Sequence, residues 1–358
     1  MTTIDTEIVI PVHDESRPVR RAAESVLKDT RARVLIVAHN ISPDLLDLPT
    51  SDRLSILPLN EDPGMPGATF DAGIKAATAP WVGIMGSDDW YADGAIEAMR
   101  RRASRDDADG VIAPLTHQLS QVNNIKPLTG RSKRLDAVRD RMFFRTAPLG
   151  IFKRTLLDSE EYRFGNVFPA GSDMRVTALL WTSGASFSYY WDDPAYVVGK
   201  DAVRRVTFTP RPLERTGAPW LSLLDEPRVQ AFTRKQKHAL GYKMARVHVA
   251  DAAHLRPTAE AWLEGDFDWL SSFTRTLREF DPTFDAPLSR RDGRLVRAVE
   301  KGDFEETLMA ASEWKQAALT DRAFASSLVT SLTDRDAPIG LAASGVSARL
   351  ASRIRGLR

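Results

Sequence analysis

The sequence predicts an α/β fold, a mostly parallel, Rossmann-like sheet, followed by an all-helical C-terminal region. Three observations carry that expectation. Short apolar runs alternate with helical patterns between Ile8 and Arg102, the pattern of strand–helix–strand crossovers. The run from Trp81 to Met85 ends in two adjacent carboxylates, Asp88 and Asp89, and the carboxyl ends of central strands are where open α/β sheets bind ligands. From Trp220 onward strand patterns stop and helical spacing replaces them.

In chain order, Ile8 to Val12 reads as the first strand, with His13, Asp14 and Glu15 at its carboxyl end. Ser16 is expected to cap the next helix, with Pro18 in its first turn and Ala22, Ala23, Val26 and Leu27 on one face. Val34 to Ala38 is the second strand, running into His39 and Asn40, and Leu54 to Leu57 is the third. A loop of turn formers, Glu61 to Gly67, leads to a helix whose Ala72, Gly73, Ala76 and Ala77 permit close packing. Right-handed crossovers then bring His13, His39 and Asp88 to the same edge of one sheet. A helical pattern from Ala95 to Arg102 follows, and after Val111–Ala113 the pattern loosens. Lys126 to Arg141 is basic and turn-rich and reads as exposed; Leu149 to Arg154 returns to the core. Phe168 to Arg175 opens a helix with Val176, Leu179 and Leu180 on its buried side, and Ser186 to Tyr190 reads as a strand.

A proline-containing linker is expected at 210–219, between a domain at 1–209 and a helical domain at 220–358. There Leu240, Met244 and Val247 keep i, i+4, i+7 spacing, as do Leu263, Phe267 and Leu270, continued by Phe273, Leu277 and Phe280. Asp303 with Glu306 makes a capping-box pattern. Gly265-Asp266-Phe267 recurs as Gly302-Asp303-Phe304, which fits a helical-hairpin repeat and equally fits shared helix-start chemistry. Near the end, Val346, Leu350 and Ile354 share one face while Arg349, Arg353 and Arg358 fall largely elsewhere. That pattern suits either a packing helix or an amphipathic helix on anionic lipid.

Composition narrows the classes of function. The chain has 358 residues, long enough for two domains. With 49 basic and 48 acidic residues its net charge is +1, which argues against nucleic acid as the main partner. It has no cysteine, so disulfides, thiolate metal sites and a cysteine nucleophile are excluded. The N-terminus lacks a basic segment followed by a long apolar one, and no run of 18 apolar residues occurs. The expected location is the cytoplasm, with peripheral contact at the inner face of the membrane.

Two acids at the end of a central strand read in two ways. They suit a divalent cation bridging phosphate oxygens, or one of them caps the following helix. The wider pattern bears on this. Val9-Ile10-Pro11-Val12-His13-Asp14-Glu15, Ser25-Val26-Leu27, Gly86-Ser87-Asp88-Asp89-Trp90, Leu149 to Leu156, and Gly171-Ser172-Asp173 with the later Gly184 stand in a familiar order and spacing. Over roughly Ile8 to Thr207 the chain resembles glycosyltransferase family 2, nucleotide-sugar enzymes with a single GT-A domain.

The resemblance implies inverting transfer of a sugar, hexosyl or N-acetylhexosaminyl, from a nucleotide diphosphate donor, UDP-linked on family frequency. The acceptor it implies is a hydroxyl of a cell-surface glycan or polyol phosphate. Asp173 matches the catalytic base. Asp88 matches the ligand of Mn²⁺ or Mg²⁺, with Asp89 beside it in the second shell or on the donor sugar. Pro11, His13, Glu15 and His39 fall on the nucleotide side, the two histidines as contacts to the base. Arg204 and Arg205 stand where a loop could clamp diphosphate. Each has a plainer role as well: a helix cap for Asp173, structural histidines, a solvated Glu15, and a surface pair of arginines.

The sequence also departs from the family pattern. Gly86 replaces the first Asp of Asp-x-Asp, Ser172 replaces the Glu before the base, and Ala38-His39-Asn40 replaces an acidic pair. Phe70 stands where an arginine is frequent. A non-catalytic nucleotide-sugar or glycan-binding protein is therefore the alternative. A sugar nucleotidyltransferase is disfavoured because no Gly-rich basic loop follows the first strand. The helical region is expected to hold the acceptor or to self-associate as a homo-oligomer.

Overall fold

The computed structural model describes residues 3–60, 65–119, 130–201 and 211–356. The chain divides into two compact units, one of 1–127, 131–209 and 351–358 and the other of 128–130 and 210–350. The first unit contains β1 (Thr6–Val12), α1 (Val19–Leu27), β2 (Ala32–His39), β3 (Leu54–Leu59), α2 (Pro66–Ala76), β4 (Trp81–Ile84), β5 (Trp90–Tyr91) and α3 (Ala95–Asp106). It continues with β6 (Gly110–Ile112), β7 (Leu115–His117), β8 (Gly150–Lys153), α4 (Arg154–Leu157), α5 (Ser172–Trp181), β9 (Phe187–Tyr189) and β10 (Tyr196–Val198).

Among the described residues a seven-stranded sheet runs in the order β3-β2-β1-β4-β8-β6-β9, and a three-stranded sheet in the order β5-β10-β7. β1 pairs in parallel with β2 on one side and β4 on the other. The chain thus moves outward through β2 and β3, then reverses to the far side of β1. That reversal is a topological switch point, the place where such sheets leave a crevice at the carboxyl ends of the strands. The sheet is mostly parallel, as expected; β8 alone runs antiparallel to its neighbours β4 and β6.

β1 is legible because both its faces are covered: Ile8, Val9, Ile10 and Val12 are all buried, which makes a continuous apolar run instead of an alternating one. α2 covers β1 and β2 at very short range. A Cβ on Gly73 would lie 2.2 Å from Val9 Cγ1 and 3.0 Å from Val37 Cγ2.

Two local expectations for this unit are corrected. Ser16 does not cap α1, whose N-cap is Pro18 with no side-chain cap. Ser16 is engaged instead by the Asp14 carboxylate, to which its backbone N–H and its hydroxyl donate at 2.9 and 2.7 Å. The basic stretch up to Arg141, expected to be exposed, buries Leu135, Ala137, Asp140 and Arg141. Its polar groups satisfy one another: Asp136 N–H donates to Asp140 at 2.8 Å, and Val138 and Arg139 N–H donate to Asp136.

The second unit is helical: α6 (Leu213–Asp225), α7 (Pro227–Gln230), α8 (Arg234–Met244), a π-helical turn (Ala245–Val249), α9 (Ala250–His254) and α10 (Asp266–Phe280). After these come α11 (Arg290–Lys301), α12 (Phe304–Glu313), α13 (Leu319–Ala323), α14 (Leu328–Thr333) and α15 (Pro338–Gly356). Residues 213–219, read from the sequence as linker, belong to α6, which continues through the buried Pro219. Tertiary packing overrides the proline. A Cβ on Gly217 would lie 2.0 Å from the Trp269 ring, and Leu213 N–H donates to the buried Asp266 carboxylate at 2.7 Å.

On α10 the expected stripe Leu270, Phe273, Leu277 and Phe280 is buried, whereas Leu263 precedes the helix and is exposed. Asp303 caps α12, accepting from Glu306 N–H at 3.0 Å. The two tripeptides act differently, since Gly265 opens α10 while Gly302 closes α11. Of the expected apolar face near the C-terminus, Val346 and Leu350 are 57% and 53% exposed. Among the described residues no helix is long and apolar enough to cross a membrane.

The close seating of α2 is testable. Gly73→Ala forces a methyl group into Val9 and should lower folding stability by about 1–3 kcal/mol, the usual cost of overpacking. Urea unfolding followed by circular dichroism checks this, and an unchanged midpoint would contradict the close approach.

Candidate functional site

β4 delivers two acids to the switch point. Val82, Ile84 and Met85 are buried, and Met85 N–H donates to Val9 O at 2.9 Å, which keeps the chain in the sheet up to the turn. The turn closes through Asp89 N–H to Gly86 O at 3.1 Å. Asp89 points into protein. Its Oδ2 accepts from the Tyr196 hydroxyl at 2.5 Å and its Oδ1 from Gly199 N–H at 2.8 Å. Tyr196 Oη in turn accepts from Gly86 N–H at 3.0 Å. Burial first, and then the Asp89 charge, push the Tyr196 phenol well above its ordinary pKa, so it stays a donor. A Cβ on Gly199 would lie 1.9 Å from Asp88 O, so the chain leaving β10 rests directly on the acid turn.

Asp88 faces a different partner. Its Oδ2 lies 2.8 Å from Arg17 Nη1, with the two side chains 15% and 10% exposed. Arg21, four residues on, fixes the backbone beneath. Its Nη2 donates to Asp88 O at 2.7 Å, and its guanidinium lies 4.1 Å over the Trp90 ring. Arg21 also pairs with Asp201 at 2.6 Å and holds that carboxyl down at about 2.

The residues expected on the nucleotide side lie along the same edge. Pro11 sits in β1 opposite Val37, and His39 ends β2 opposite Leu59. His39 is buried, whereas His13 and Glu15, just past β1, are exposed by surface area. Protein crowds the His13 ring nonetheless. Desolvation first, and then the Arg17 guanidinium, lower its pKa from the ordinary imidazole value, with a smaller contribution from His39. At neutral pH His13 is therefore an uncharged ring, suited to stacking or to a single ring-nitrogen hydrogen bond. Arg204 and Arg205 lie outside the described residues.

Asp173 is the second residue of α5, whose N-cap is Gly171 in the left-handed region (φ +86°) with no side-chain cap. The capping role that the sequence allowed for Asp173 is thus not the one it fills. α5 leads into β9, which runs parallel to β6, so the helix returns along the sheet from the carboxyl edge to the amino edge. Trp181 at its far end packs on Phe187 at the start of β9, ring centroids 5.0 Å apart. Asp173, eight residues earlier, lies about 12 Å back along the axis, toward the edge that carries Asp88. The loop between α4 and α5 is tied to α2, with Phe164 and Gly165 N–H both donating to Asp71 at 2.8 Å.

Mg²⁺ and Mn²⁺ take one or two protein carboxylates plus substrate oxygens. Asp88 offers one carboxylate, already opposite Arg17, and both oxygens of Asp89 are engaged. Gly86 adds no donor, and no group of three His, Asp or Glu side chains converges among the described residues. The Mn²⁺ or Mg²⁺ expected at Asp88 would therefore have one protein carboxylate to bind, and that carboxylate is paired with Arg17.

Sequence reasoning missed Arg17, Arg21, Tyr196 and Asp71. The signal for the first two was available: two arginines four apart, immediately after the loop that follows the first strand. Nothing in the sequence marks Tyr196. A separate cleft of about 810 Å³ lies at the amino edge, lined by Asp5, Lys28, Trp81 and Arg100 among others. Several of its charges are paired, Arg100 with Asp29 at 2.8 Å and Arg31 with Asp5.

Known proteins resemble this chain in sequence and in fold. The sequence model of Glycosyl transferase family 2 matches residues 7–160. The succinoglycan biosynthesis protein ExoO of Rhizobium meliloti (strain 1021) is 28% identical over 206 residues, covering 50% of this chain and 56% of the relative. The chain thus spans about half the length of the curated relative it matches. Among solved structures, S. aureus TarS 1–349 superposes with a TM-score of 0.67 at 13% identity, covering 87% of this chain and 92% of TarS 1–349. The same fragment in complex with UDP-GlcNAc gives 0.71 at 13% identity and the same coverage. At that identity the likeness is one of fold: a GT-A domain followed by helices.

The clasp around Asp89 predicts a stability change. Tyr196→Phe removes the donor to Asp89 and the acceptor for Gly86 N–H together, and should cost about 1–3 kcal/mol. Denaturant unfolding measures it; a loss within about 0.3 kcal/mol would show that the clasp holds nothing.

Proposed function

Because residues 7–160 match the sequence model of glycosyl transferase family 2, we propose that this chain moves a sugar from a nucleotide diphosphate donor to a hydroxyl of a glycan or polyol acceptor, with inversion. The observation that supports this most directly is the convergence at one sheet edge. Asp88 and its turn, His13 and His39 stand at the carboxyl ends of the neighbouring strands β4, β1 and β2, where nucleotides bind in open α/β sheets. The donor class is drawn from TarS, which has been solved with UDP-GlcNAc and with UDP. The acceptor class is drawn from ExoO, named for succinoglycan biosynthesis.

In this reading the nucleobase lies toward His13 and His39, and the diphosphate reaches the turn at the end of β4. The acceptor oxygen attacks the anomeric carbon from the face opposite the diphosphate, so the configuration inverts. The bond to the diphosphate breaks as the new one forms, and the nucleoside diphosphate leaves with the electron pair. Asp173 takes the proton of the attacking hydroxyl as the general base of this reading.

UDP release from UDP-GlcNAc in the presence of a glycan acceptor tests the reading. A transferase releases UDP; the non-catalytic alternative binds the donor and releases none. Asp173→Asn keeps the size of the side chain and removes its basicity. Turnover should fall by roughly 10²-fold or more while UDP affinity changes little. Turnover that survives within a few-fold would leave Asp173 a structural residue.

A further inference from the structure

We propose that Arg17 is a donor-binding residue, whose guanidinium hydrogen-bonds the diphosphate while it stays paired with Asp88, so that this chain binds its nucleotide without a divalent ion. The proposal rests on the nucleotide-sugar reading above. The family resemblance implies a divalent ion, and Asp88 is the carboxylate that would meet it. Here that carboxylate is already balanced by a guanidinium at 2.8 Å, with both side chains largely buried.

Three features make this a built arrangement. The first is the missing acid. A Cβ on Gly86 would lie 2.8 Å from Asp89 Oδ2 and 3.2 Å from Asp88 Oδ1. A carboxylate at that position would set a third negative charge against the other two, a grouping that calls for a multivalent cation. With glycine there that third charge is absent, and Arg17 pairs with Asp88 while Tyr196 and Gly199 donate to Asp89.

The second feature is the way Arg17 is held. Its N–H donates to Asp14 O at 3.2 Å and its carbonyl accepts from Val19 N–H at 2.7 Å. The Asp14 carboxylate meanwhile grips Ser16. The loop from β1 to α1 is thus braced at the residue that carries the charge, directly at the switch point.

The third feature is the unused edge of the fork. Among the described residues Arg17 Nη1 is engaged with Asp88, and no other hydrogen bond takes Nε or Nη2. A guanidinium carries its donors in a planar fork that matches phosphate oxygens. It can keep one nitrogen on Asp88 and turn the other edge to a phosphate. A divalent ion at Asp88 would have to displace this guanidinium or sit beside a like charge.

Calorimetric titration of the full chain with UDP, in EDTA and in Mn²⁺, tests the proposal. Wild-type protein should bind UDP in EDTA with an affinity within about threefold of that in Mn²⁺. Arg17→Ala should weaken binding in EDTA by about tenfold or more. Arg17→Lys keeps the pair with Asp88, so it guards against loss of the fold, and it should fall between the two. Wild-type binding that requires Mn²⁺ would overturn the proposal and leave the donor reading standing. So would Arg17→Ala or Arg17→Lys binding UDP in EDTA as tightly as wild type. No UDP binding with or without Mn²⁺ would overturn the donor reading, and this proposal with it.

Discussion

The Asp89 carboxylate is the interaction on which the site depends. It takes the Tyr196 hydroxyl on one oxygen and Gly199 N–H on the other, and so fastens the end of β4 to the end of β10. Hydrogen bonds to a charged group contribute about 1.5–3 kcal/mol each. Leaving such a carboxylate half-buried without its donors costs more than the bonds themselves contribute. Through this clasp the small sheet β5-β10-β7 is held against the large one, and the backbone of Asp88 is pressed between Arg21 and Gly199. The second acid of the pair therefore has little freedom, and its side chain meets Arg17.

Two adjacent aspartates thus divide structure and recognition between them. Asp89 is consumed by the fold, and Asp88 is presented with a guanidinium opposite it. The same logic governs the neighbouring histidine. Burial first, and then the Arg17 guanidinium, lower the His13 pKa, so in the proposed reading the nucleobase would meet an uncharged His13 ring and the diphosphate the Arg17 fork.

Much of the first unit is legible because burial writes itself into the sequence. β1 and β4 are covered on both faces and read as apolar runs, and the carboxylates that break the β4 run sit where a buried strand has to emerge. The role proposed for Asp173 comes from family resemblance alone, since its spacing equally allows a helix cap. What could not be read are contacts that depend on distant segments. Tyr196 reaches Asp89 across 107 positions, and no local pattern announces that. Ser16 has a capping sequence, yet Asp14 takes its donors. Pro219 marks a break by composition, yet Trp269 packing on Gly217 keeps the helix intact. In each case a tertiary partner outweighs a local preference that is small by comparison.

The central claim is that the crevice at the carboxyl ends of β1, β2 and β4 is where a nucleotide sugar binds. Amide hydrogen exchange followed by mass spectrometry, with and without UDP-GlcNAc, tests it without reference to turnover. Bound donor should slow exchange in peptides covering residues 11–19, 37–42 and 85–91, with little change across 266–313. Slowing confined to the helical unit, or none at all under saturating donor, would contradict the account.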